Sequence, residues 1–454
     1  MDLIFVTHNS EKWISRCFDS LLSSDYRLEK LNVFVIDNAS SDGTVPLLEQ
    51  YRNRFFCCGS YQLLLEDKNH GFGRANNIAA GSGHSEIVVF VNIDTEFFSD
   101  TLSVLEQEIK HSHRNIGIWE MRQFPYEHPK IYDPVTLEAS WSSGAAFAVR
   151  RAVYEHVGGF DDLFFMYAED VDFSWRVRNC GYKIRYTPRA SIRHYTYSSA
   201  NEIKPLQYCC SIINDLYLRY RYGSLRQQLM GNCRVISRLL HREVYKGARR
   251  DLIKYYLKHF GRIRLCRHST GKSGNAAKFV GFEYEDVRLG AFYFRKRLIT
   301  APSIAVIIKN DLLSDIHILL SCLKNQTYPS IKWYFAGHPF DAEDIELTYL
   351  DLEAPISTLG EPYFSIVDEQ FLYYADHFET LISSLVNHSC LGARDNCRGA
   401  DQTPALSGIV FRSAALQSYD KGISFSDLYE CKDMEKLFRH IICIDAETRR
   451  IWRH

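Results

Sequence analysis

"LNVFVIDNASSDGT", residues 31–44, reads as an apolar strand that breaks into a polar turn at Asp37. Val33 to Ile36 are apolar without alternation, the pattern of a strand covered on both faces. Two further stretches repeat it. "LIFVTHN" (3–9) runs into Thr7-His8-Asn9, and "EIVVFVNID" (86–94) ends in Asn92-Ile93-Asp94. Between the first two strands, "SEKWISRCFDSLL" (10–22) has helical spacing, with Trp13, Cys17 and Leu21 on one face. Strands alternating with helices predict a parallel sheet covered on both faces. Such sheets bind ligands at the carboxyl ends of their strands. Polar chemistry is therefore expected at 7–9, 37–40 and 92–94.

The bulk numbers bound the reading. A chain of 454 residues, 46% hydrophobic and 24% charged, suits two to four ordinary globular domains. The net charge is −1, but residues 219–272 hold fifteen Lys or Arg against two acids, Glu243 and Asp251, a local net of +13. That asymmetry suggests an anionic partner. Nucleic acid is not expected, because no reading module accompanies the charge. Thirteen cysteines, an odd number with no CxxC, argue against a disulfide framework and for a reducing compartment. "MDLIFVTHNS" shows no signal segment, and apolar runs such as "IVVFVNI" are too short to span a bilayer.

Each candidate residue has a functional and a plain reading. Asp37 can accept hydrogen bonds from a nucleobase or ribose, or can serve a turn that caps the next helix. "NHGFGRANN" (69–77) places two glycines about a phenylalanine, followed by Arg74 and Asn76. Small residues let backbone approach a diphosphate, and Arg74 could pair with it; the third glycine of the dinucleotide fingerprint is missing. Asp94 can reach a divalent ion that bridges two phosphates, or is a polar strand end. His194 follows a strand-like "YKIRYTPRASI"; it is a metal ligand, a phosphate contact, or a surface or core histidine. Glu169, Asp170 and Asp172 open a short helix in "FFMYAEDVDFSWRVRNCGY" (164–182), where acids also suit the helix dipole. "TGKS" (270–273) is not a phosphate loop, since Cys266 stands where the motif needs glycine.

The second half echoes the first. "SIAVIIKND" resembles the opening strand, "YFSIVDEQF" resembles "VVFVNIDTEF" with Asp368 in the place of Asp94, and "SGIVFRSAAL" resembles "SGAAFAVRRAV". "FSDLYECKDMEKLFR" overlays the acidic helix, with Asp433 on Asp170 and Arg439 on Arg176. The counterpart of the glycine-containing stretch is missing from the echo.

The order of these pieces is distinctive: strand-end Asp37, "GFGRANN", "NID", "SSGAAFAVRR", "VGGFDDLFFMYAEDVDFSWRV", "GYKIRY", then His194. It resembles the family 2 glycosyltransferases with the GT-A fold, most closely the rhamnosyltransferase-like branch, over roughly residues 1–300. The fold class this implies is α/β. A GT-A (Rossmann-like) nucleotide-sugar-binding domain is expected over 1–204, a helical, basic extension over 205–300, and a second, degenerate GT-A-like α/β domain over 301–454.

The resemblance also implies a reaction. A nucleotide-diphosphate sugar, dTDP-rhamnose ahead of a UDP-sugar, gives up its sugar with inversion to a glycan or lipid-linked acceptor in bacterial cell-surface polysaccharide synthesis. Thr7 and Asp37 would hold the nucleoside. Asn69, Gly71, Arg74, Asn76 and Asn92 would line the donor. Asp94 and His194 would bind Mg²⁺ or Mn²⁺, and Trp141, Gly144 and Glu169 would shape the sugar and acceptor site. Asp170 would be the catalytic base, which inversion requires opposite the leaving group; its aromatic neighbours would raise its pKa. Asn92 replaces the first carboxylate of the usual Asp-x-Asp, one anionic ligand fewer. The basic segment then reads as an interfacial surface for an anionic membrane, with the protein cytoplasmic and peripheral on the inner face of the plasma membrane. The competing readings are a catalytically inactive scaffold of the same fold and, further off, a nucleotidyltransferase.

Overall fold

In the computed structural model, the stretch 31–44 forms a buried strand and the turn that follows it. The structure describes residues 1–128, 130–195, 204–265, 288, 297–298, 300–309, 316–336, 345–351, 354–386, 390, 392–395, 407–414, 441–443 and 449–451.

The first strands and helices alternate: β1 (Asp2–Thr7), α1 (Glu11–Leu22), β2 (Asn32–Asp37), α2 (Thr44–Arg52), β3 (Ser60–Leu65), α3 (Phe72–Ala80) and β4 (Ile87–Val91). These four strands are parallel, in the order β3-β2-β1-β4. Leu3, Phe5, Val33 and Val35 face the core that α1 fills with Ile14, Cys17, Phe18 and Leu21. Then come β5 (Thr95–Phe97), α4 (Thr101–His111), β6 (Ile116–Phe124), β7 (Glu138–Ala139), β8 (Ala146–Arg150), α5 (Arg151–His156), α6 (Glu169–Asn179) and β9 (Lys183–His194). β8 adds antiparallel to β4, β6 antiparallel to β8, and β9 parallel to β6. β5 pairs antiparallel with the end of β9, which sets Thr95 opposite His194. This mixed, mostly covered sheet, with a parallel half and helices between its strands, is the α/β arrangement expected for residues 1–204.

Three helices follow: α7 (Pro205–Tyr222), α8 (Leu225–Leu240) and α9 (Ala248–Leu265). Ile213 and Leu216 of α7, Val235 of α8, and Leu252 and Ile263 of α9 share one core cluster with Trp141, Phe164 and Trp175. The chain divides into two units, residues 1–132, 138–287 and 293–295, and residues 133–137, 288–292 and 296–454. The three helices belong to the first.

The second unit contains β10 (Ile304–Lys309), α10 (Ile316–Lys324), β11 (Ile331–Ala336), β12 (Leu347–Tyr349), β13 (Tyr363–Val367), β14 (Phe371–Tyr373), α11 (His377–Val386), β15 (Gly392–Arg394), β16 (Val410–Arg412), β17 (Ile441–Cys443) and β18 (Arg449–Ile451). Its sheet runs β12-β11-β10-β13-β16-β15-β17. Strand for strand this repeats β3-β2-β1-β4-β8-β6-β9, parallel and antiparallel pairs included. The echo in the sequence is a repeat of topology.

The repeat corrects one residue match. Three residues separate β4 from β5, and three separate β13 from β14. Asp368 directly follows its strand, as Asn92 does, so Gln370 and not Asp368 stands in the place of Asp94. Strand register agrees: continued past the strand ends it sets Asn92 opposite Ala145 and Asp368 opposite Ser407, and the Asn92 N–H donates to the Ala145 carbonyl while the Asp368 N–H donates to the Ser407 hydroxyl. Asp433 and Arg439 lie outside the described residues, as does the basic segment beyond 265.

Candidate functional site

The carboxyl ends of β1 and β2 build the first part of the site. Strand register sets Thr7 opposite Asp37. The Thr7 hydroxyl donates to Asp37 Oδ1 at 2.9 Å, and Ser40 donates to the same carboxylate through its N–H (2.8 Å) and its hydroxyl (2.6 Å). Thr7 is fully buried and Asp37 nearly so, and the Thr7 hydroxyl braces the Asp37 carboxylate. The neighbouring Asn38 joins this turn to the next. Its amide nitrogen donates to Asn69 Oδ1 (2.9 Å) and the Gly71 carbonyl (3.2 Å), and its oxygen accepts the His70 N–H (2.8 Å).

Gly71 is required by close approach. Its φ is +85°, and a Cβ there would lie 2.2 Å from the Phe165 carbonyl oxygen. The adjacent Phe72 N–H donates to that oxygen at 2.8 Å. The 69–72 loop therefore packs, backbone on backbone, against the loop that leads to Asp170. Asn76 lies inside α3, 1% exposed, and donates to the Phe72 carbonyl. That position makes it a brace of the helix, not a lining of the donor. Arg74 is exposed and pairs with Asp162 at 3.5 Å.

The end of β4 meets the end of β9. Asp94 Oδ1 lies 3.3 Å from His194 Nε2, and the other ring nitrogen of His194 bonds Gln123 Oε1 at 2.8 Å. Burial pushes the Asp94 carboxyl up, but the His194 imidazole and Lys204 outweigh it and hold it below its usual range. A carboxylate and an imidazole on one side of a site, with the imidazole oriented by a further side chain, fit a divalent cation that takes its other ligands from phosphate and water. The Asn92 amide oxygen is buried without a hydrogen-bond partner, which leaves a further oxygen at the same strand end.

Gly144 and Ala145 connect this corner to the acidic helix. The Ala145 carbonyl accepts the Asn92 N–H at 2.9 Å. The Gly144 N–H donates to Asp170 Oδ2 at 2.7 Å, and Val171 donates its N–H to Asp170 Oδ1 at 2.9 Å. Burial raises the Asp170 pKa, against the pull of those two amides and of Lys130. Glu169 is 5% exposed, and its Oε2 has no partner. Burial, then the Asp170 charge, raise its pKa well above the usual value. A buried Glu169 is a wall of the site and not an open acceptor contact.

A consequence for stability follows from linkage. Glu169 titrates higher folded than unfolded, so stability falls as pH rises from its unfolded pKa towards its folded one. Glu169→Gln should raise the melting temperature at pH 7 and lose that gain near pH 4, as read by thermal melts at the two pH values. An equal gain at both would contradict a Glu169 carboxyl that burial raises above its usual value.

Trp141 is also placed differently from expectation. It is 4% exposed, in the core with Phe164 and Trp175, and carries the Lys130 ammonium over its ring at 4.0 Å. Lys130 and Glu120 form a buried ion pair, and the Ser143 N–H donates to Glu120 at 3.0 Å. This pair fixes the 141–144 loop from beneath.

The structure thus brings Asp37, Asn69, Gly71, Asn92, Gly144 and Asp170 onto one connected set of strand ends and loops, with Asp94 and His194 together beside Asn92. Thr7, Asn76, Trp141 and Glu169 are buried supports. Sequence reasoning placed Asn38 in the polar strand end without a role and passed over Gln123, Glu120 and Lys130. Glu120 had a signal, an acid inside the otherwise buried strand "IGIWEMRQF"; Lys130 had none.

Comparison with known proteins agrees with this architecture. Residues 2–172 match the model of glycosyl transferase family 2. The chain is 31% identical over 120 residues to the poly(ribitol-phosphate) beta-N-acetylglucosaminyltransferase TarS of Staphylococcus aureus, covering 26% of this chain and 20% of TarS. It is 26% identical over 223 residues to the O-antigen chain rhamnosyltransferase RfbN of Salmonella typhimurium, covering 44% of this chain and 68% of RfbN. Among solved structures, the mannosyltransferase PcManGT of Pyrobaculum calidifontis, in complex with GDP-Man and Mn²⁺, superposes with a TM-score of 0.39 and 18% identity over 59% of this chain and 72% of that one.

Proposed function

We propose that the chain, whose residues 2–172 match the family 2 glycosyltransferase model, moves a sugar, with inversion, from a nucleotide-diphosphate sugar to a glycan or lipid-linked acceptor of a bacterial surface polysaccharide. Rhamnose is the favoured sugar, a reading supported by relatives such as RfbN. The observation that carries the proposal is the junction at Gly144 and Ala145, which ties the Asp170 carboxylate to the strand end that holds Asp94 and His194.

Each residue then has a task. Asp37, braced by Thr7 and Ser40, accepts from the nucleoside. Asn69 and Gly71 offer backbone and amide groups to the donor. Asp94 and His194 hold Mg²⁺ or Mn²⁺, which when bound stabilises charge on the departing diphosphate. Asp170 takes the proton from the acceptor hydroxyl as it attacks the anomeric carbon. Its raised pKa makes it the stronger base.

The test is turnover of dTDP-rhamnose, UDP-GlcNAc, UDP-galactose and GDP-mannose by the purified protein, with Mn²⁺, with Mg²⁺ and with EDTA. One donor should turn over and EDTA should stop it. A folded protein that binds none of the four would favour the inactive scaffold.

We further propose that the protein works at the cytoplasmic face of an anionic membrane, through residues 219–272. Leu229, Ile236 and Leu240 lie on one stripe of α8, and Ile253, Leu257 and Phe260 on one stripe of α9, all exposed. Arg250, Lys254 and Lys258 flank the second stripe, as in an interfacial helix whose basic side chains reach the headgroups. No helix among the described residues is long and apolar enough to cross a membrane. At low salt the protein should co-sediment with vesicles containing phosphatidylglycerol and not with neutral ones. Equal recovery with both, or with neither, would contradict this surface.

A further inference from the structure

The loop that delivers Asp170 takes an uncommon path. Tyr167 and Ala168 are both left-handed, with φ of +69° and +68°. Neither is glycine, and two such residues in succession persist only where their surroundings over-determine them. The turn they make ends at Ala168, the residue before α6, so it sets where the helix starts and where Asp170 stands.

Two sets of contacts hold this turn. The Phe72 N–H holds the Phe165 carbonyl from the 69–72 loop. The amide nitrogen of Asn214 donates to the Met166 carbonyl at 2.8 Å and the Tyr167 carbonyl at 2.6 Å. Asn214 belongs to α7, beyond the residues matched by the family model. It is 2% exposed, in a run whose neighbours Ile212, Ile213 and Leu216 are core residues. A primary amide carries two N–H donors on one atom, and here each reaches a different carbonyl of the same turn.

We infer that Asn214 is a positioning residue for Asp170: α7 clamps the left-handed turn and thereby holds the base against the Gly144 N–H. This deepens the proposed transfer reaction and rests on Asp170 as its base. A bland role is that Asn214 only satisfies two buried carbonyls, with an effect on stability and none on the carboxylate.

The test compares wild type with Asn214→Leu, which keeps the volume and removes both donors, and with Asn214→Leu/Ala168→Gly. Glycine adopts the left-handed conformation without strain, so it should keep the turn in place without the clamp. Two readings are taken: kcat and KM for whichever of the four nucleotide sugars wild type turns over, and the titration of the Asp170 carboxyl by ¹³C NMR, assigned against Asp170→Asn. Asn214→Leu should lose at least about tenfold in kcat, with KM within about twofold. Its Asp170 titration should fall towards the ordinary carboxylate range as the loop opens to water. The added glycine should restore both in large part. Wild-type kcat and titration in folded Asn214→Leu, or a loss that glycine does not restore, overturns the clamp. If Asn214→Leu does not fold, Asn214→Gln, whose amide sits one methylene further out, is read in the same two ways. A wild type inert to all four donors ends the proposed function, while the titration still decides the clamp.

Discussion

Asp170→Asn should fold and bind donor as wild type does, yet lose nearly all transfer. Asparagine keeps the shape, and its side-chain oxygen can still accept the 2.7 Å bond from Gly144. What it lacks is a lone pair basic enough to take the acceptor's proton. General-base catalysis contributes about 10²–10⁴-fold, so a loss of at least about 100-fold in kcat is expected, with donor affinity unchanged. Wild-type activity should also show an acid limb. The Asp170 carboxyl titrates above its usual 3.8, so the active, ionised form disappears as pH falls through that raised value, and Asp170→Asn should have no such limb. Initial rates across pH for both proteins check this. A mutant with full activity would end the assignment of Asp170.

Asp172→Ala should have the largest effect on stability. Asp172 is wholly buried, and its carboxylate accepts from Arg176 (2.8 Å), Arg221 (2.6 Å) and the Tyr222 hydroxyl (2.8 Å). Burial pushes its pKa up, but the two guanidiniums outweigh that and hold it below the usual range. Arg221 also reaches Asp161 at 2.7 Å. Removing the carboxylate leaves the buried Arg221 and the partly buried Arg176 each short of a partner, a change that costs about 3–5 kcal/mol, a large share of a typical domain's stability. Because the folded pKa is depressed, this contribution is present above the unfolded value and lost as pH falls through the folded one. Chemical denaturation at pH 7 should show the full deficit, and a scan towards pH 3 should show it shrink. A mutant within about 1 kcal/mol of wild type at pH 7 would show that the guanidiniums are satisfied by other means.

Much of the fold was legible because it is written in short, continuous apolar runs. "LIFVTHN", "LNVFVIDN" and "EIVVFVNID" became three adjoining parallel strands, and their polar ends gather at the candidate site, at the carboxyl edge where such sheets bind ligands. The repeat was legible for the same reason. Its register was not: a match of like letters put Asp368 on Asp94, whereas equal spacing between strands puts Gln370 there. Residue identity can slide by two places along a strand end without changing face, since the side-chain period is two.

The candidate site divides in the same way. Residues at strand ends or in glycine-containing loops could be named, since their place follows from local pattern. Thr7, Asn76 and Trp141 were named for contact with ligand and turned out to be buried, because motif position does not tell which way a side chain points. Asn38, the Glu120–Lys130 pair and Asn214 act across long sequence distances. Asn214 meets carbonyls some fifty residues earlier (47 and 48 positions away). A polar residue in the apolar run "SIINDLY" marks a need for a partner, but only the packing of α7 on the loop before Asp170 reveals which partner it has. Asp172 and Arg176, a helix-face pair by spacing alone, are joined by Arg221 and Tyr222 from α7 into a buried network.

The most direct measurement is the anomeric configuration of the first product. With the donor that turns over, and water or a simple alcohol as acceptor, ¹H NMR during the first turnovers reports the anomer before mutarotation mixes it. Direct displacement with Asp170 as base predicts the configuration opposite to that of the donor. Retention of the donor's configuration would contradict the account.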